Sequence, residues 1–258
     1  MAYFETADGV SLSYRVKGDG VPIIFIHPPL LTSENFTYQE DELSKIYKVI
    51  TFDIRGHGRS YYSSSPLTYP LIVEDIKQLL DYLGIEKAYV CGYSTGGSIV
   101  LEFLLALPSR ALGGVIICGM SEAHGVLKDK IELGRSLAAQ DAVPLIALSV
   151  SKTNSNNNEM FRLLFTSSMK GNAINIEQYY AYSAEYNCTN QLSNIDLPVL
   201  LVYGKKDRQF HPYAKILNRK LQYNELKIVD NVKHQIPTKA ADELNQYMKG
   251  FIMSLTAN

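Results

Sequence analysis

Ala88-Tyr89-Val90-Cys91-Gly92-Tyr93-Ser94-Thr95-Gly96-Gly97-Ser98-Ile99-Val100 is the stretch that decides how this chain is read. It opens as the apolar run of a buried strand and passes into Gly-x-Ser-x-Gly. An apolar segment with helical spacing follows, through Ile99, Val100, Phe103, Leu104 and Leu107, and stops at Pro108. Turning so sharply from strand to helix forces the serine into a strained backbone conformation and lifts its hydroxyl clear of the sheet. Side chains at Gly92 and Gly96 would clash across the turn, hence glycine. The helix then aims its N-terminal N–H groups and positive dipole end beneath the reacting oxygen. Ser94 is therefore the candidate nucleophile, with the Thr95 N–H as a candidate oxyanion donor.

Outward from this stretch the chain alternates strands and helices. Tyr3–Thr6 and Val10–Val16 flank Asp8-Gly9 and read as a hairpin. Continuous apolar runs follow at Pro22–Ile26, Lys48–Phe52, Ala88–Cys91, Val115–Cys118, Val199–Tyr203 and Leu226–Val229. Runs of this kind mark strands buried on both faces. Helical spacing appears in Ile72, Ile76, Leu79, Leu80 and Leu83, closed by Gly84, and again from Ala240 to Leu255. The expected fold is α/β: a mostly parallel, eight-stranded sheet with helices on both faces. From about Ser121 to Asp196 no buried-strand run appears, only helical patterns. The expected organisation is a core of residues 1–120 and 197–258, with residues 121–196 inserted as a helical cap. Within the cap, the polar stretch Ser151–Asn158 is expected to be a mobile loop.

The strand, Gly-x-Ser-x-Gly and helix together resemble the nucleophile elbow of the α/β-hydrolase family. Asp53-Ile54-Arg55-Gly56-His57-Gly58-Arg59-Ser60 is similar to that family's D-x-R-G-x-G-x-S loop, which implies a scaffold role for Asp53 and His57. The resemblance covers essentially the whole chain. It implies a cap between the sixth and seventh strands, as in the esterase, lactonase, haloperoxidase and carbon–carbon hydrolase branches. A serine nucleophile speaks against the dehalogenase and epoxide hydrolase branches.

A serine hydroxyl needs a base, and the base needs an orienting acid. Of five histidines, His234 lies in the loop between the last strand and the C-terminal helix, where it can reach back over the sheet. His211 follows a strand too, but another strand and helix come after it. The acid should follow a strand between Ser94 and the histidine, and Asp207 does so after Val199–Tyr203 and Gly204. Asp230 and Glu225 are the alternatives. One departure from the family concerns the second oxyanion donor. Where relatives carry His-Gly-x, this chain has His27-Pro28-Pro29-Leu30, and proline has no N–H. The expected second donor is the Leu30 N–H.

Composition is that of an ordinary globular protein, with 46% hydrophobic and 20% charged residues in 258. A net charge of -1 offers no field for nucleic acid or an anionic membrane. Three widely spaced cysteines without a CxxC pair fit a reducing compartment. The N-terminus has no signal-peptide pattern, so a cytoplasmic location is expected. No His/Cys/Asp cluster has zinc-ligand spacing, and no cofactor or metal is called for. The expected activity is hydrolysis of a small ester or lactone through an acyl-enzyme, by a monomer or homodimer. The rivals are a ligand sensor that keeps the triad and a carbon–carbon bond hydrolase. Tyr179, Tyr180, Tyr182 and Tyr186 read equally as pocket lining and as packing.

Overall fold

The protein is described here by a computed structural model covering residues 2–256; residues 1, 257 and 258 of the expected core lie outside the described part. The hairpin forms as β1 (Ala2–Glu5) and β2 (Ser11–Lys17), followed by β3 (Pro22–Ile26). Next come α1 (Thr37–Leu43), β4 (Lys48–Phe52), α2 (Tyr69–Tyr82) and β5 (Ala88–Tyr93). The chain continues through α3 (Thr95–Ala106) and β6 (Ala111–Ile117). Four helices then run without a strand: α4 (Gly125–Ala139), α5 (Val143–Asn154), α6 (Asn158–Ser168) and α7 (Ala173–Glu185). The core resumes with β7 (Val199–Gly204), α8 (His211–Lys220), β8 (Asn224–Val229), α9 (Ile236–Lys239) and α10 (Ala241–Thr256).

The eight strands make one sheet in the order β1-β2-β4-β3-β5-β6-β7-β8. Pairings from β4 to β8 are parallel, and only β1–β2 and β2–β4 are antiparallel. Side chains of β3, β5 and β7 are almost wholly buried, as continuous apolar runs require when helices cover both faces. Helix α3 is buried nearly all round, which its apolar composition on every face permits. Strand order reverses at β3, with β4 on one side and β5 on the other. The crevice above the carboxyl ends of β3 and β5 is thus a topological switch point, the usual ligand site of such sheets.

The polar stretch Ser151–Asn158 differs from its expectation. Ser151 to Asn154 complete α5, and Asn157 caps α6 by accepting a hydrogen bond from the Met160 N–H at 2.8 Å. Only residues 155–157 lie between the two helices. Ser151 and Asn154 are buried because the last turn of α5 lies over the sheet end, where the Tyr93 hydroxyl donates to Asn154 Oδ1 at 3.0 Å. At Asn154 polarity reflects a partner in the fold, not solvent.

The Asp53–Ser60 segment is scaffold. Asp53 Oδ1 accepts from the Ser33 N–H and hydroxyl, and Oδ2 accepts from the Arg59 N–H. Buried Arg55 forks onto Asp75 with two bonds of 2.6 Å. The Ile54 N–H donates to His27 Nε2, so the His27 ring carries its proton on Nδ1 and donates it to the Pro28 carbonyl. Burial pushes the imidazole of His27 down to about 4 and that of His57 down to about 3. Both are therefore neutral in the folded protein at pH values where the unfolded chain would protonate them near 6.5. Their depressed values cost folding stability progressively as pH falls from about 6.5 towards about 4 and 3. The NMR ring resonances of both are expected to stay at neutral-imidazole positions from pH 7 to 5.5. A titration of either ring near pH 6.5 in folded protein would remove the scaffold assignment.

Candidate active site

Ser94 stands at the turn from β5 into α3 with φ 56° and ψ −122°, a strained conformation for a residue with a side chain. Its N–H donates to the Ile117 carbonyl at 2.8 Å, which ties the turn to β6. A Cβ on Gly92 would run into the Gly96 carbonyl, and one on Gly96 into the Ile26 carbonyl of β3. The second glycine is thus required by close approach of the neighbouring strand rather than by the turn itself.

His234 follows β8 and Asp207 follows β7, and the structure brings both to Ser94. His234 Nδ1 lies 2.8 Å from Asp207 Oδ2, and Nε2 lies 3.0 Å from Ser94 Oγ. An ionised carboxylate only accepts, so the ring proton sits on Nδ1 and Nε2 is left to accept from the serine hydroxyl. Phe210 and Tyr93 hold the imidazole from two directions, with ring centroids 4.2 and 5.1 Å away. Asp207 is buried, and Ser94 and His234 are half-buried at the base of the crevice.

The other sequence candidates lie apart. His211 begins α8 and its Nε2 sits 3.1 Å from the Gly204 carbonyl oxygen. Asp230 is exposed and pairs with Lys205 at 2.8 Å, while Glu225 pairs with Lys227 at 2.6 Å. Among the described residues, the N–H groups of Thr95 and Leu30 meet no hydrogen-bond acceptor. Leu30 has φ 71°, uncommon for a residue with a side chain, and its side chain packs with Ala138, Val143, Ile146, Ala147 and Ile176 of the inter-strand helices.

Two cavities open on Ser94. The smaller, about 180 Å³, is lined by Pro28, Pro29, Leu31, Tyr93, Thr95, Ile131, Val150, Asn154, Tyr180 and His234. The larger, about 490 Å³, runs along the other side past Phe210, Gln235 and Lys233. Of the four tyrosines, Tyr180 alone lines the small cavity. Tyr179 donates to the His27 carbonyl at 2.8 Å, and Tyr182 and Tyr186 pack on Tyr69. Both readings of that cluster are thus realised, by different members.

Sequence reasoning reads Cys118 as a small buried side chain at the end of an apolar run and does not place it beside Asp207. It directly follows β6 with φ 48° and is fully buried, and its Sγ, Asp207 and His234 offer ligand atoms all within 4.8 Å of one another. Burial and the neighbouring Asp207 carboxylate push its thiol well up, so it is a neutral neighbour of the acid. No local pattern signals this contact, because 89 residues of chain separate Cys118 from Asp207. The Asp207 carboxylate and the His234 Nδ1 already satisfy one another, which a metal between them would have to disrupt.

A family model described as alpha/beta hydrolase fold matches residues 21–140. The chain is 27% identical to a non-heme chloroperoxidase of Streptomyces lividans, covering 98% of this chain and 100% of the relative. It is 26% identical to 3-oxoadipate enol-lactonase 1 of Acinetobacter baylyi, covering 96% of this chain and 95% of that protein. Among solved structures, an esterase from Exiguobacterium antarcticum superposes with a TM-score of 0.88 at 18% identity, covering 97% of this chain and 98% of the other. Among the described residues, no helix is long and apolar enough to cross a membrane.

Proposed function

The chain belongs to the alpha/beta hydrolase fold family, and from that premise we propose that it is a serine hydrolase of small carboxylic esters or lactones. Ser94 Oγ attacks the carbonyl while His234 Nε2 takes its proton. The tetrahedral oxyanion is bound by the N–H groups of Thr95 and Leu30. Collapse breaks the acyl C–O bond, and His234 returns the proton to the departing alcohol. Water then attacks the acyl-enzyme by the same route and releases the acid and Ser94. Asp207 keeps the imidazole in the required tautomer throughout. Residues 121–196 act as a cap, with Ile131, Val150, Asn154 and Tyr180 roofing the small cavity. Free cysteines at 91, 118 and 188 fit a cytoplasmic protein.

The observation that carries this reading is the unbroken series Asp207–His234–Ser94 at 2.8 and 3.0 Å, opening directly on an apolar cavity. Its volume of about 180 Å³ lies below the roughly 300–1,000 Å³ of sites for drug-sized ligands, which favours a short acyl chain. Purified protein given a panel of esters, lactones and thioesters should turn over the short acyl members. Saturable binding without turnover would instead support the sensor reading.

Pro28 and Pro29 both line the small cavity, so neither supplies an N–H beside the carbonyl. Loss of one oxyanion donor costs about 10²–10³ in kcat. If Leu30 compensates only in part, activated aryl esters should be turned over well and alkyl esters poorly. Pro29→Gly restores an N–H and should raise alkyl-ester kcat by about tenfold or more. Ordinary enzyme rates on alkyl esters in the unaltered protein would overturn partial compensation.

A further inference from the structure

The larger cavity beside Ser94 is strongly cationic. Lys130, Lys206, Arg208 and Lys233 line its walls and are all exposed. Lys130 Nζ donates to the neutral amide of Gln209 at 2.6 Å, and among the described residues no carboxylate pairs with Lys206, Arg208 or Lys233. The next cation along, Lys205, is by contrast matched by Asp230. Asp207 is the sole carboxylate among the described lining residues, and it is buried against His234. Four cations thus converge on one open groove, in a chain whose net charge is -1.

From this juxtaposition we infer that the groove receives an anionic leaving group. The substrate is an ester of a short acyl chain whose alcohol part carries a carboxylate or phosphate. This rests on the hydrolase reading above. The assignment of sides follows from size and lining. Ser94 and His234 border both cavities, so the imidazole can hand its proton to an oxygen leaving towards either. The small cavity, about 180 Å³, has apolar walls and no cation, and it takes the short acyl chain. The alcohol part is left to the larger groove, walled by Phe210, Gln235 and the basic residues. Clefts lined by one sign of charge raise the local concentration and on-rate of the opposite ion by about 10–10³-fold.

The test compares 3-acetoxybenzoate with its neutral amide, 3-acetoxybenzamide, and with 3-acetoxyphenyl phosphate, each normalised to its rate in alkali. At low salt, kcat/KM for the carboxylate or the phosphate should exceed that for the amide by at least about tenfold. The two anions distinguish the sources of charge. The excess should shrink as the Debye length falls from about 8 Å at 0.15 M to about 3 Å at 1 M salt. In the triple variant Lys206→Gln, Arg208→Gln and Lys233→Gln, the ratio of anionic to neutral kcat/KM should fall towards one. A second measurement, independent of turnover, is calorimetric binding of 3-hydroxybenzoate and 3-hydroxybenzamide to the Ser94→Ala protein, with the anion expected to bind tighter. Turnover of all three esters at equal kcat/KM overturns the inference and leaves the hydrolase reading standing. Preferential binding of the anion without turnover of any ester overturns the hydrolase reading and supports the anion site.

Discussion

Ser94→Ala is expected to lower kcat for every ester the protein turns over by about a million-fold, leaving only the contribution of oxyanion donors and binding. Ser94 Oγ is the group from which His234 Nε2, 3.0 Å away, can take a proton towards the substrate carbonyl. Without it the imidazole has nothing to activate except water in a poorer position. The two side chains act as one unit, so His234→Ala should cost about as much. Combining both substitutions should add almost nothing, because the losses of a coupled pair do not sum. His211→Ala should leave kcat close to that of the unaltered protein, since His211 is engaged with the Gly204 carbonyl. A fluorophosphonate probe should label Ser94 alone and should label neither the Ser94 nor the His234 variant. Peptide mapping that put the label on another serine would end the assignment. So would an active His234 variant beside a dead His211 variant. Unchanged urea midpoints would show that the losses are chemical and not losses of fold.

The parts of this site that were legible beforehand share a cause. The strand Ala88–Tyr93 and the helix Thr95–Ala106 are local, and Gly92 is forced by the Gly96 carbonyl of the turn itself, although Gly96 answers to Ile26 of β3. Asp207 could be placed because it follows the fully buried run Val199–Gly204; His234 follows the last strand, Asn224–Val229, of which only Val229 is buried, against the expectation of a strand buried on both faces. What was not legible depends on contacts between distant segments. Helix α1, Thr37–Leu43, carries the polar sequence Tyr-Gln-Glu-Asp-Glu and forms by packing on β4 and α10. The polar end of α5 is not recognisable as helix from its own residues, because Asn154 finds its partner in Tyr93, 61 residues away. Cys118 next to Asp207, and four cations converging on one groove, are likewise products of the folded topology.

Asp207→Asn is the most discriminating substitution, because it keeps size and burial and changes only what the acid offers to His234. In the unaltered protein the carboxylate accepts from Nδ1–H at 2.8 Å, which leaves Nε2 free to accept from Ser94. Asparagine can present its amide N–H to Nδ1 instead. The ring proton then moves to Nε2, which can no longer take the serine proton. A change of this kind in a Ser-His-Asp hydrolase costs about 10⁴ in kcat with the geometry intact, and a loss of that order is expected here. The loss should appear mainly in kcat, since Asp207 acts through the imidazole that it holds at 2.8 Å. Asp230→Asn serves as the control. Its carboxylate pairs with Lys205 at the surface, with both side chains largely exposed, and such pairs contribute about 0–1 kcal/mol. Its kcat should match that of the unaltered protein. An active Asp207→Asn protein beside an inactive Asp230→Asn protein would mean that the acid four residues before the histidine holds the base, and the bond between Asp207 and His234 would lose its catalytic meaning.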